Sequence, residues 1–156
     1  MPIRLPKLIL SIGLCLGAGF VGSFFTISAI PNWYAALQKP TFSPPNWVFG
    51  PVWTTLYIMM GVALYLVWTS KSKVKQNALN LFFVQLGLNA LWSIIFFGLQ
   101  SPFLALLTIV ALWLLIVLTM RAFFGINKTS GWLLVPYLAW VSFATYLNYS
   151  IWVLNR

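Results

Sequence analysis

The stretch that decides the fold is residues 103–124, which read FLALLTIVALWLLIVLTMRAFF and carry one charged side chain, Arg121. A helix needs about 20 mostly apolar residues to cross the hydrocarbon core of a bilayer. The stretch therefore predicts a membrane-spanning helix.

Four further stretches of the chain share this length and apolar character. The predicted helices cover about 8–30, 47–69, 77–98, 103–124 and 131–154, with a proline-rich loop at about 31–46. The basic stretch after the second helix and the turn ending at Pro102 are short. We therefore predict an all-α fold, a bundle of five transmembrane helices that forms one domain over residues 1–156.

The first apolar run has a second interpretation, as a signal peptide, because Arg4 and Lys7 precede it. No clear small-x-small cleavage site ends the run, and it is long for a signal peptide. Small residues four apart in it, Gly13 with Gly17 and Gly19 with Ser23, are typical of close helix packing in lipid. We expect a retained helix.

Composition agrees with a membrane protein and excludes much enzyme chemistry. Hydrophobic residues make up 62% of the chain and charged residues 6%, against roughly a quarter in soluble domains. The chain has no Asp, Glu or His, so it offers no carboxylate pair, Ser-His-Asp set or His metal site. The basic residues form no stripe that would fit nucleic acid. The single Cys15 is expected to be a small buried apolar residue.

The nine charged residues, all basic, predict the orientation. The predicted loops divide them unequally, with Lys39 and Arg156 on one side and the other seven on the N-terminal side: Arg4, Lys7, Lys71, Lys73, Lys75, Arg121 and Lys128. Cytoplasmic loops carry the excess of Lys and Arg. We expect the N-terminus inside and the C-terminus outside.

Helical spacing gathers aromatic and polar side chains into three stripes. Most of the nine Trp are explained as interfacial anchors, but four lie deeper, and of these Trp113 could simply face lipid. The stripes hold Trp53 and Tyr57; Gln85, Asn89 and Trp92; and Trp140, Ala144 and Leu147, with Asn148 beside Ala144. The amides must face the bundle interior to find hydrogen-bond partners. They either hold helices together or form the polar groups of an aromatic small-molecule cavity.

The chain resembles the TspO/MBR family, which comprises bacterial tryptophan-rich sensory proteins and the mitochondrial translocator protein. The matching runs are WYAALQKP at 33–40, SPPNWVFGPVW at 43–53, QLGLNALW at 85–92, FFG at 96–98, PYLAW at 136–140, FAT at 143–145 and LNY at 147–149. The resemblance implies a five-helix bundle, often a homodimer in bacteria. It also implies a pocket for porphyrins or, in animals, cholesterol and drug ligands.

When the ligand-contacting positions of the family are matched to this sequence, the resemblance implies a ligand site at Trp47, Trp53, Tyr57, Asn89, Trp92, Trp140, Ala144 and Leu147. The stripes add Asn148. It associates Trp53 and Trp140 with light-dependent porphyrin breakdown. Cholesterol is not predicted, because six residues separate Tyr149 from Arg156 where the proposed pattern allows five. Without His as an axial ligand, metal-free porphyrin fits better than haem. Lys39 or the start of the second helix would hold its propionates.

Three functions stay open: a porphyrin sensor, store or transporter; an enzyme-like protein that photo-oxidises porphyrin; and a lipid-binding or structural membrane partner. No obligatory cofactor is expected. A bacterial plasma membrane is favoured by the short N-terminus, with the mitochondrial outer membrane as the alternative.

Overall fold

The computed structural model describes residues 2–156, and in that range the regular structure is helical throughout. The helices are α1 (Leu5–Ala29), α2 (Asn46–Trp68), α3 (Lys75–Ser93), α4 (Pro102–Ile126), α5 (Lys128–Leu133) and α6 (Val135–Leu154). Two π-helical turns, Ile30–Tyr34 and Ile94–Gly98, continue α1 and α3. The all-α prediction is confirmed.

The first loop is shorter than predicted. We expected it to begin at residue 31, but Pro31 lies inside the π-helical turn and the chain stays helical through Ala36. A π turn is a common way for a helix to absorb a local disruption. The loop proper is therefore residues 37–45.

The last predicted helix is divided in two. The chain forms α5, breaks at Leu134, and resumes as α6. Pro136 explains the break, because it has no N–H to bond the carbonyl one turn earlier and its ring crowds that carbonyl. Pro136 is instead accommodated in the first turn of α6.

Four helical segments within residues 2–156 are long and apolar enough to cross a membrane. They are Leu5–Tyr34, Asn46–Trp68, Lys75–Gly98 and Pro102–Ile126. The fifth predicted span, α6, is not among them, because Tyr, Ser, Thr and Asn interrupt its apolar residues. The chain is thus a helical membrane protein.

Glycine brings α1 and α2 together, but not at all the predicted positions. A Cβ on Gly61 would lie 2.5 Å from the Ile12 Cα, so only glycine permits this approach. Gly19 makes a comparable contact with the Tyr57 ring. Gly13 and Gly17 were predicted to pack closely as well, yet a Cβ at either would meet nothing within 4 Å. That prediction is wrong within a single chain, because both glycines face outward.

Candidate aromatic cavity

A cavity of about 520 Å³ lies between α1, α2, α6 and the end of α3, beside the first loop. Ile30, Tyr34, Asn46 and Trp47 line it from the two flanks of that loop. The volume falls within the roughly 300–1,000 Å³ of ordinary small-molecule sites. Its described lining is aromatic and aliphatic, with hydroxyls and amides but no charged side chain.

Eight of the nine residues predicted to form the site line this cavity. They are Trp47, Trp53, Tyr57, Trp92, Trp140, Ala144, Leu147 and Asn148. The three predicted stripes face one another across the cavity, because α2, α3 and α6 each contribute lining side chains from their own side. The ninth residue, Asn89, lies outside the lining and is buried behind Tyr57.

Asn89 belongs to a buried hydrogen-bond network beneath the cavity. The Tyr57 hydroxyl donates to Asn89 Oδ1 at 2.5 Å, and Asn89 Nδ2 donates to the Tyr137 hydroxyl at 2.8 Å. Tyr137 in turn donates to Gln85 Oε1 at 2.8 Å. Gln85 and Asn89 are each 1% exposed, which confirms that these amides face the interior. Asn89 therefore acts on the cavity through Tyr57 and has no face on it.

Trp53 is the centre of the aromatic wall. Its ring stacks on Tyr57 at 5.6 Å and lies 6.5 Å from Trp92. It meets Trp140 edge to face, with 6.5 Å between centroids and 88° between planes. These separations are those of favourable aromatic pairs. Trp53 and Trp140 thus share one wall of the cavity.

The indole N–H groups of the site differ in what they can offer a ligand. Trp92 Nε1 donates to Asn148 Oδ1 at 3.0 Å, and Asn148 Nδ2 donates to the Pro102 carbonyl at 2.8 Å. That pair ties α3 to α6 and to the start of α4. Trp140 Nε1 is buried and finds no acceptor among residues 2–156. A buried donor without a partner costs about 1–3 kcal/mol, so this group is suited to a ligand acceptor.

Helix α1 forms a whole wall of the cavity that the sequence did not reveal. Its contribution is Leu16, Gly19, Phe20, Ser23, Thr26 and Ile27. Phe20 and Ile27 are also largely exposed to the outside of the bundle. The usable signal was the spacing of Gly19, Ser23 and Thr26, which puts small or hydroxyl residues at i, i+4 and i+7 on one face of α1. The other residues of this wall are apolar.

The first loop is attached to the end of α6 by two sets of contacts. The Asn155 side chain pairs with the backbone of Gln38, since Gln38 N donates to Oδ1 at 2.9 Å and Nδ2 donates to the Gln38 carbonyl at 2.8 Å. Phe42 stacks on Tyr146 with 5.2 Å between centroids. We call these contacts the loop latch.

Lys39 stabilises the loop from within. Its Nζ donates to the Tyr34 carbonyl at 2.7 Å and the Leu37 carbonyl at 3.2 Å. The same ammonium group lies 4.8 Å from the Tyr34 ring centroid. Lys39 does not line the cavity, so it stands at the edge of the site.

Comparison with known proteins agrees with this geometry. The model of the TspO/MBR family matches residues 11–153. The chain is 48% identical to tryptophan-rich protein TspO of Archaeoglobus fulgidus, covering 96% of this chain and 97% of the relative. It is 53% identical to the protein of the same name from Chlorobaculum tepidum, covering 95% of each. It is 43% identical to the human translocator protein, covering 85% and 80%. The chain belongs to the TspO/MBR family.

Proposed function

We propose that this chain binds a porphyrin or related tetrapyrrole in the aromatic cavity, to sense, store or move it within the membrane. The observation that carries the proposal is the Trp140 indole, whose side chain lines the cavity and whose buried N–H has no acceptor among residues 2–156. A flat conjugated ligand would stack on Trp53 and Trp140, and an oxygen on its edge would accept the free N–H. Metal-free porphyrin suits a chain without His.

The propionates of such a ligand need positive partners at the mouth of the cavity. Helix α2 begins after Pro45 with no side-chain cap, and its first residues, Asn46 and Trp47, both line the cavity. The first N–H groups of a helix lack intrahelical acceptors and attract anions. Lys39, across the loop, supplies the nearby ammonium group. The loop would act as a lid held by the loop latch.

A fifth membrane crossing by α6 completes the proposed architecture. One residue, Asn127, separates α4 from α5, so the chain must turn back at once, and α6 packs along α4. Its 20 residues reach about 30 Å at 1.5 Å per residue, the thickness of the hydrocarbon core. An odd number of crossings puts the termini on opposite sides. We propose an N-in, C-out homodimer in a bacterial plasma membrane. A reporter enzyme that is active only in the cytoplasm, fused after Arg156, should give no signal, and a signal would refute the topology.

Titration of the purified protein with protoporphyrin IX in detergent, followed by tryptophan fluorescence, tests the binding. We expect saturable quenching, with free tryptophan in the same detergent as the control for absorption by the porphyrin. Linear quenching that matches the control would refute the proposal.

A second function, light-dependent porphyrin breakdown, is favoured by the edge-to-face contact of Trp53 with Trp140 in the same cavity wall. Light and oxygen would supply the oxidising power, so no acid or base is required. Illumination should bleach bound porphyrin with the wild-type protein and with Trp113→Phe, whose indole bonds Ser142 away from the cavity. Trp53→Phe and Trp140→Phe should spare it. Equal bleaching by all four proteins would remove this function.

A further inference from the structure

One end of the bundle collects most of the chain's positive charge. The N-terminus of α1 meets the C-terminus of α2 there, because Arg4 N donates to the Tyr65 hydroxyl at 2.9 Å and Lys7 Nζ lies 4.8 Å from the Trp68 ring centroid. The loop to α3 adds Lys71, Lys73 and Lys75, and the end of α4 and start of α5 add Arg121 and Lys128. We call these seven cations the basic end.

Residues 1–156 supply no acidic side chain to neutralise the basic end, because they contain no Asp or Glu. Arg156 follows Asn155 of the loop latch at the opposite end. Like charges held together destabilise a fold unless counterions are bound. The counter-charge must therefore come from outside the chain.

Two of these cations, Lys7 and Lys75, are held against the end of α2. Lys75 Nζ donates to the Trp68 carbonyl at 3.2 Å and to the Ser70 carbonyl at 2.8 Å, which folds the loop back onto α2. With Lys7 against the Trp68 ring, two positive charges are held at one residue, one by its ring and one by its carbonyl. Arg4, Lys71 and Lys73 stay exposed around this centre. These three side chains can therefore bind an anion while the contacts of Lys7 and Lys75 stay formed.

Exposed apolar side chains alternate with these exposed cations. Val74 follows Lys73 and is 62% exposed, while Ile3 and Leu5 flank Arg4 at 71% and 58%. A soluble polyanion has no apolar part that could cover these exposed side chains. A phospholipid needs both, since its phosphate pairs with cations and its acyl chains cover apolar surface.

We propose that the basic end binds anionic phospholipid of the bilayer, with the headgroup phosphate among Arg4, Lys71 and Lys73 and the acyl chains against Ile3, Leu5 and Val74. This site is separate from the aromatic cavity and does not depend on the proposed porphyrin function. Clusters of four to eight Lys and Arg beside membrane helices attract anionic lipids. The preference is electrostatic, so it should weaken as salt rises.

Native mass spectrometry of the full chain tests the proposal with equal amounts of phosphatidylglycerol and phosphatidylcholine in the micelle. We expect phosphatidylglycerol to be retained at least tenfold more than phosphatidylcholine. Lys71→Gln with Lys73→Gln should remove most of that preference, since two of the three cations placed around the phosphate are lost. The matched control, Lys39→Gln with Arg156→Gln, removes the same charge from the opposite end and should keep the preference.

Competition distinguishes the source of the phosphate. Inorganic phosphate at millimolar concentration should leave the retained lipid in place, because it lacks acyl chains. Heparin that displaces the lipid and binds more tightly would indicate a soluble polyanion partner and overturn the proposal. Equal retention of the two lipids, or an equal loss of preference in the test and control variants, would also overturn it. Melting temperatures confirm that both variants are folded.

Discussion

Helices α1 and α2 pack tightly near the basic end and part near the first loop. At the tight half the Ile12 backbone sits against Gly61, where no side chain fits. At the open half, Phe20 and Ser23 of α1 and Trp53 of α2 line the cavity. One pair of helices thus provides both a fixed seam and a binding space, because glycine allows contact in one half and large rings prevent it in the other.

The contrast also divides the polar groups. In the packed core, Asn89 and Tyr137 satisfy one another with protein partners. In the open half, the Trp140 N–H remains without one. Gln85 Nε2 in the packed core also has no partner among residues 2–156, so a missing partner points to a ligand only where, as at Trp140, the side chain also lines the cavity.

The largest effect is expected from closing the glycine contact of the packed half. Gly61→Ala puts a methyl group 2.5 Å from the Ile12 Cα and should destabilise the protein by about 2–3 kcal/mol. Gly13→Ala is the matched control, since its Cβ meets open space and alanine favours helix. Thermal denaturation in detergent measures both. Equal melting temperatures for the two variants would contradict the packing described.

The buried network should give the next largest effect. Asn89→Ala leaves the Tyr57 and Tyr137 hydroxyls short of partners and should cost about 2 kcal/mol of stability. It should also weaken porphyrin binding, because Tyr57 lines the cavity. Gln76→Ala removes an exposed amide pair with Asn80 and should change the melting temperature little. A loss no larger than that of Gln76→Ala would show that the network is not structural.

Removing the unpaired donor of the open half should change binding more than stability. Trp140→Phe should weaken porphyrin binding by about tenfold, since one hydrogen bond and part of a ring are lost. Trp113→Phe should bind as the wild type does, and Trp92→Phe should melt lower because Asn148 Oδ1 loses its donor. Fluorescence titration and melting curves separate the three outcomes. Wild-type affinity in Trp140→Phe would mean that its N–H is not a ligand contact.

The loop latch should give the smallest effect, and chiefly on rates. Asn155→Ala removes both hydrogen bonds to Gln38 and should speed porphyrin release by a few-fold while the melting temperature barely changes. Asn32→Ala, which removes an exposed bond to the Ser28 carbonyl, serves as the control. Stopped-flow displacement measures release. Unchanged rates in Asn155→Ala would show that the loop opens without breaking the latch.

Particular residues show what the sequence could and could not predict. The helical period put Trp53, Tyr57, Trp92 and Trp140 on facing stripes because side chains three and four apart share a face. The same period put Asn89 in the site, because helical spacing shows which side chains share a face but not which of them line the cavity and which lie one turn away from it. Those distinctions depend on how the helices rotate against each other.

Helix breaks and the fourth wall were the other differences. Pro31 and Pro136 were both visible, but whether proline stops a helix, as at α5, or is absorbed in a π turn depends on the surrounding packing. The cavity wall from α1 was missed because its short stripe of Gly19, Ser23 and Thr26 lies in a helix whose other residues are mostly apolar. An amphipathic pattern identifies an inner face only when the outer face is polar, and lipid removes that difference.

The most direct test of a ligand cavity in the open half is to fill it. Ala144 lines the cavity and is 7% exposed, so Ala144→Phe should occupy the ligand's space. The wild type should bind one protoporphyrin per chain saturably, and a folded Ala144→Phe, checked by its melting temperature, should bind more than tenfold more weakly. Equal affinity in the two proteins would place the porphyrin elsewhere and contradict the account.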